Sequence, residues 1–285
     1  MRIARIDDAD RAQFAFADGR HSGWVTAGAL GVDVRTLDDV VDRLSVIRER
    51  MSLTEADRDD RVNLLAPVER PGKILAVGLN YLKHIEEVGK AKPTAPMIFA
   101  KYSSAIAGPY GVIELNPDIT AEVDYECELA VVIGAPARRI DPERALNHVL
   151  GYCVANDVSA RDVQRSEPQI SRSKSLDTFC PIGPWITTAD EVADPHRLGI
   201  RTRVNGAIRQ DSTTEDMLFD VPFLIAYLSQ TMTLQPGDMI LTGTPPGVGS
   251  GMKPPSYLQE NDVVRCEIDT LGYIENTLVT PVVTR

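Results

Sequence analysis

The sequence predicts an α+β fold dominated by β-strands, with a small α+β module at its N-terminal end. Three observations carry this reading. Short apolar, β-rich segments recur at 73–78, 97–101, 123–133, 150–154, 185–188, 200–204, 239–241 and 263–268. Gly and Pro, 20 and 19 of the 285 residues, punctuate them too closely for a regular strand–helix alternation. The loop Ala66-Pro-Val-Glu-Arg-Pro-Gly72 carries a double proline signal and sets the boundary between a module over 1–70 and a larger domain over 71–285.

Residues 1–35 alternate polar and apolar around the turn signals Asp18-Gly19, Gly28 and Gly31, which reads as short strands paired in hairpins. Leu37, Val40, Val41, Leu44, Ile47 and Met51 recur at helical spacing, and Thr36 with Asp39 has the form of a capping box. A charged stretch over 55–61 leads into the proline loop. Beyond it one clear helix interrupts the strands: Asp220 is its cap, Pro222 lies in its first turn, and Val221, Leu224, Ile225 and Leu228 share a face.

A hydrophobic content of 43% with 25% charged residues permits a packed core and excludes wholesale disorder. Thirty Lys and Arg against 41 Asp and Glu give a net charge of −11, which argues against a nucleic-acid or anionic-membrane binder. No apolar run reaches the roughly 18–20 residues of a membrane helix; the longest, Leu129-Ala-Val-Val-Ile133, is strand-sized. The first twenty residues show no apolar core of a secretory signal. Cys127, Cys153, Cys180 and Cys266 form no CxxC pair, so reduced, buried thiols in a cytoplasmic protein are expected.

The chemistry concentrates in a few segments. In Asp124-Tyr-Glu-Cys-Glu-Leu-Ala-Val-Val-Ile-Gly134, strand geometry sends Glu126 and Glu128 to the same side, roughly 6–7 Å apart along the backbone. Buried together, two carboxylates require a cation or strong donors; the other reading is an exposed acidic strand start. The strand Leu150-Gly-Tyr-Cys-Val-Ala runs into Asn156-Asp157, and Asp157 is either a third carboxylate of a hard-cation site or half of an Asx turn. His84 and Glu87, in Lys83-His-Ile-Glu-Glu-Val-Gly89, share a face if the segment is one helical turn. A carboxylate that orients an imidazole makes a general base near neutral pH; a surface His beside surface acids is the alternative. Lys174 is a candidate cation or an ordinary exposed lysine. The loop Leu241-Thr-Gly-Thr-Pro-Pro-Gly-Val-Gly249 lacks the marks of a nucleotide site, and is either a cradle for a carboxylate or a tight turn. His21, His148 and His196 have no such context.

Taken together and in order, VGLNYLKHIEEVG, FAKYSSAIAGP, DYECELAVVIG, GYCVANDVSARDVQ, KSLDTFCPIGPW, VNGAIRQ, MLFDVPFLIAYLSQ and TLQPGDMILTGTPPGVG resemble the fumarylacetoacetate hydrolase family over residues 74 to about 250. The resemblance implies a mixed β-sandwich roll catalytic domain, a homodimer, and Mg²⁺ or Mn²⁺ held by Glu126, Glu128 and Asp157. It implies that His84 and Glu87 lie on a lid that orders around substrate. Arg161, Gln164 and Lys174 would surround the reacting oxygen, Thr178 would lie near a metal-bound water, and Thr244 would contact the substrate carboxylate. The implied reaction is metal-dependent hydrolysis of the C–C bond of a 2,4-dioxo acid to a carboxylic acid and pyruvate. Decarboxylation of an oxaloacetate-type acid, or keto–enol isomerisation, uses the same platform, and a non-catalytic binding module is a third possibility. Two departures bear on substrate identity: residues 165–173 lack a Gly-Gln-Trp-containing form common among relatives, and Lys83 stands where Asp is frequent.

Overall fold

The structure is a computed structural model that describes residues 1–8, 11–19, 23–53, 59 and 61–281. His21 and most of the charged stretch over 55–61 lie outside the described residues.

Two mixed sheets form the body. The larger has eleven strands, nine of them in the order Val25–Thr26, Arg11–Ala17, Arg2–Asp8, Cys180–Thr188, Val149–Asn156, Cys127–Ile133, Met239–Leu241, Ile74–Gly78, Met97–Lys101. All neighbours along this path are antiparallel except Met239–Leu241 and Ile74–Gly78, which run parallel. The second sheet has the order Ala207–Thr213, Gly199–Val204, Val263–Ile268, Gly272–Val279, Val112–Glu114. This is the β-dominated α+β fold expected. The N-terminal strand Arg2–Asp8 does not stand apart: it pairs with Cys180–Thr188 and so extends the sheet of the larger domain.

Alternation along Cys127–Ile133 explains the two cores. Leu129, Val131 and Ile133 meet Ile200, Val264 and Ile274 of the second sheet and Leu224 and Leu228 of the helix Val221–Ser229. Ala130 and Val132 face Phe16, Ile47 and Met51 of the N-terminal segment. Glu128 has the parity of the second group, so its carboxylate points to the face on which the N-terminal residues pack.

Several elements match their signals. Thr36 Oγ1 accepts the Asp39 N–H (3.2 Å) and Asp39 accepts the Thr36 N–H (2.9 Å), closing the capping box. Asp220 Oδ1 accepts the Phe223 N–H (2.8 Å), with proline in the first turn. Differences are local. The 37–51 helix is two helices, Leu37–Asp42 and Leu44–Leu53, divided at Arg43. The 123–133 strand is interrupted: Val123–Asp124 pairs with Ser159–Ala160, and regular pairing resumes at Cys127. At the break, side chains replace the ladder, the Asp124 carboxylate taking the Tyr125 N–H and Asn156 Oδ1 the Glu126 N–H. The hairpin between Gly199–Val204 and Ala207–Thr213 turns at Asn205 and Gly206, both at positive φ (50° and 80°). All four cysteines are buried and free.

Candidate active site

Two elements converge at the end of the large sheet. The interrupted strand delivers Glu126 and Glu128, and the end of Val149–Asn156 delivers Asp157, whose N–H is held by the Glu126 carbonyl (2.8 Å). One oxygen from each carboxylate lies within 4.8 Å of the other two, and all three residues are buried. This overturns both the exposed-strand and the plain-turn readings of these residues. Three buried, convergent carboxylate oxygens are a hard donor set that fits Mg²⁺ or Mn²⁺.

Protein cations brace the trio. Lys174 Nζ lies 2.6 Å from Glu126 Oε2 and 2.8 Å from Asp157 Oδ2. Arg161 pairs through Nη2 with Glu126 Oε1 (2.6 Å) and through Nε with Asp124 Oδ2 (2.9 Å). Lys101 Nζ lies 2.6 Å from Asp157 Oδ1. Glu128 has no such cation; the Gly243 N–H on its Oε2 (2.7 Å) is its hydrogen-bond donor among the described residues.

The electrostatics follow from these contacts. Burial pushes Glu126 up, but Lys174 and Arg161 outweigh it and hold the carboxyl down at about 2. Burial pushes Glu128 well above the usual carboxylate range, and the charges of Asp157 and Glu126 push it further. Burial pulls Lys174 down, but Asp157 and Glu126 more than reverse it, so its ammonium stays charged.

A cavity of about 470 Å³ opens onto two of the three carboxylates, Glu126 and Glu128. His84, Arg161, Gln164, Lys174 and Thr244 line it with Glu126 and Glu128. The helix Leu82–Glu87 puts His84 and Glu87 on one face, with Nδ1 2.9 Å from Glu87 Oε2. Glu87 Oε1 in turn accepts the Gly247 N–H (2.8 Å), and the Lys83 N–H donates to Asp216 (3.0 Å), so the helix expected as a lid is docked at both ends. Gln164 Oε1 accepts from Arg161 Nη1 (3.1 Å). The Thr244 hydroxyl donates to the Cys127 carbonyl (3.0 Å).

One expected residue lies elsewhere. Thr178 is not among the cavity's lining residues; its Oγ1 accepts the Glu114 N–H (2.7 Å), and the neighbouring Ser175, Leu176 and Asp177 line a different depression. Its φ of 66° puts it in the left-handed region, where the chain turns. Two residues at the site were missed. Asp124 continues the i, i+2 series of Glu126 and Glu128, and Lys101 shares the parity of buried Phe99 on an apolar strand. Both signals were readable.

The family model for the C-terminal domain of fumarylacetoacetate hydrolase matches residues 73–279. The chain belongs to the fumarylacetoacetate hydrolase family. Within it, the chain is similar to a mitochondrial oxaloacetate tautomerase, FAHD2A of Bos taurus, with 50% identity over 83% of this chain and 76% of the relative. Among solved structures it is similar to a fumarylacetoacetate hydrolase from Exiguobacterium antarcticum, with 40% identity, a TM-score of 0.85, and 99% and 100% of the two chains covered. It is also similar to a maleylpyruvate hydrolase from Sphingobium sp. SYK-6, solved with manganese(II) and pyruvate, with 32% identity, a TM-score of 0.81 and the same coverage. A metal-dependent family chemistry on a small molecule is therefore the setting of this site. No helix among the described residues is long and apolar enough to cross a membrane.

Proposed function

We propose that the chain is a divalent-metal-dependent enzyme that moves a proton between the enol and keto forms of oxaloacetate or a similar short 2-oxo dicarboxylic acid. The observation that carries this is that His84, held by Glu87, lines the same cavity as Glu126 and Glu128 of the buried carboxylate trio. The similarity to oxaloacetate tautomerases supports it, and on that ground we put isomerisation before the hydrolysis expected first from the sequence.

Glu126, Glu128 and Asp157 would hold the ion. Mg²⁺ or Mn²⁺ there supplies the positive charge that polarises a chelating 2-oxo acid and makes its C3 hydrogen acidic. Glu87 fixes His84 through Nδ1, so Nε2 is the nitrogen that exchanges a proton with the substrate. Lys174 spends two of its three hydrogens on Glu126 and Asp157 and keeps one for a developing oxyanion. Gln164 presents its amide N–H groups once Arg161 has taken its oxygen.

A second reading, hydrolysis of a 2,4-dioxo acid, is favoured by the wall of Val77, Met97, Phe99 and Ile170, which a four-carbon acid leaves unused and a longer acyl chain would cover. In that reaction His84 Nε2 takes a proton from the water that attacks C4. The homodimer implied by the resemblance belongs to the same proposal, and sedimentation tests it.

The deciding assay follows enol-oxaloacetate decay by its ultraviolet absorbance with Mn²⁺ present, beside pyruvate release from oxaloacetate and from a panel of acylpyruvates. Accelerated decay, lost in His84→Ala, is the expected result. Turnover of acylpyruvates alone would replace it with the second reading, and pyruvate release from oxaloacetate with decarboxylation.

A further inference from the structure

Six charged side chains alternate in sign in one continuous line: Lys101, Asp157, Lys174, Glu126, Arg161 and Asp124. The four inner members touch the metal-binding or catalytic geometry already described. The two end members, Lys101 and Asp124, are buried and do not line the cavity.

Both ends are fully engaged by the protein. Lys101 Nζ donates to Asp157 Oδ1, to the Lys174 carbonyl, and at 3.5 Å to the Val158 carbonyl, which uses its three hydrogens. One ammonium thus fixes both a metal-ligand carboxylate and the backbone of the lysine that bridges two such ligands. Asp124 Oδ1 accepts the N–H groups of Tyr125 (2.9 Å) and Gly249 (2.7 Å), and Oδ2 accepts those of Ser250 (3.0 Å) and Arg161 Nε (2.9 Å). Asp124 therefore aims the Arg161 guanidinium at Glu126. It also clasps the loop whose Gly247 N–H holds Glu87, and through it His84.

We infer that Lys101 and Asp124 are positioning residues that hold the carboxylate trio in metal-binding geometry from the two ends of this line. The inference rests on the metal-site reading above but not on which oxo acid is the substrate.

The test exploits the opposite charges of the two ends. If they acted only through their field, removing the Lys101 cation would tighten binding of a divalent ion and removing the Asp124 anion would weaken it. Positioning requires that both removals weaken it. Mn²⁺ affinity is measured by titration calorimetry on wild type, Lys101→Met and Asp124→Asn, with thermal unfolding of each. The expected result is at least a tenfold loss of Mn²⁺ affinity in both variants. Mn²⁺ binding by Lys101→Met as tight as wild type, or tighter, overturns the inference, whatever its melting temperature. Should Lys101→Met not fold, Arg161→Lys serves: it keeps the charge but cannot span Asp124 and Glu126 together, so weakened Mn²⁺ binding upholds the inference and unchanged binding overturns it. A wild-type chain that binds no Mn²⁺ overturns the proposed function instead, which keeps the two failures apart.

Discussion

Replacing Lys174 by Met removes the ammonium that bridges Glu126 Oε2 and Asp157 Oδ2, leaving the first carboxylate to Arg161 alone and the second to Lys101 alone. The three side chains are 3%, 8% and 0% exposed, so water cannot take over. Removing one member of a buried ion pair costs about 3–5 kcal/mol. In a domain of this size each kcal/mol moves the melting temperature by about 2–4 °C. The metal-free variant is therefore expected to melt roughly 10 °C below wild type in EDTA. Saturating Mn²⁺ stabilises the wild type by about 2.7 kcal/mol at a hundred times Kd. In the variant it also supplies the missing positive charge, so the deficit narrows on adding Mn²⁺. Circular-dichroism melts in EDTA and in Mn²⁺ measure both quantities. A variant within 2 °C of wild type in EDTA, or a deficit that Mn²⁺ leaves untouched, would refute the view that Lys174 neutralises these two carboxylates.

Further outcomes follow from individual contacts. Glu128 is pushed up by burial and by Asp157 and Glu126, and it can bind a cation only after losing its proton. Mn²⁺ affinity should therefore rise with pH by up to about tenfold per unit from the ordinary carboxylate range up to that raised value. Calorimetry at several pH values checks the slope, and Glu128→Gln should abolish it. Gly243 sits at φ +94°, and a Cβ there would lie 2.9 Å from the Val77 carbonyl oxygen, so Gly243→Ala should cost about 1 kcal/mol or more in an unfolding titration. By displacing the N–H that holds Glu128 it should also weaken Mn²⁺ binding. Thr36→Ala opens the capping box, whose residues do not line the cavity, and should cost about 1 kcal/mol with Mn²⁺ affinity unchanged.

What could be read from sequence was what local chemistry fixes. Thr36 with Asp39, and Asp220 with Pro222, carry their structures in a few adjacent residues, and the helices start where those caps are. The carboxylate trio was legible because two of its members are spaced by a strand period and the third ends a neighbouring strand. Asn205-Gly206 is an equally local hairpin signal, though the strands on its two sides are not equally apolar: Ala207–Thr213 lies half in solvent and lacks the run that marked the others. The charge line was harder. Lys101, Lys174 and Asp157 are brought together from three separate segments, and only the folded sheet decides that an ammonium at 101 meets a carboxylate at 157. Thr178 shows the converse, a motif position whose side chain the fold spends on a neighbouring backbone N–H. The joining of the N-terminal strand to Cys180–Thr188 depends on pairing across about 180 residues, which no window of sequence contains.

On the proposed function, three acidic side chains from two strands form one divalent-cation site. Anomalous diffraction from crystals grown with Mn²⁺, recorded on both sides of the manganese edge, addresses it most directly. One strong peak per chain, within bonding distance of Glu126, Glu128 and Asp157 and beside His84, is the expected result. A peak bound elsewhere, or a fully soaked crystal with no peak between these carboxylates, would contradict it.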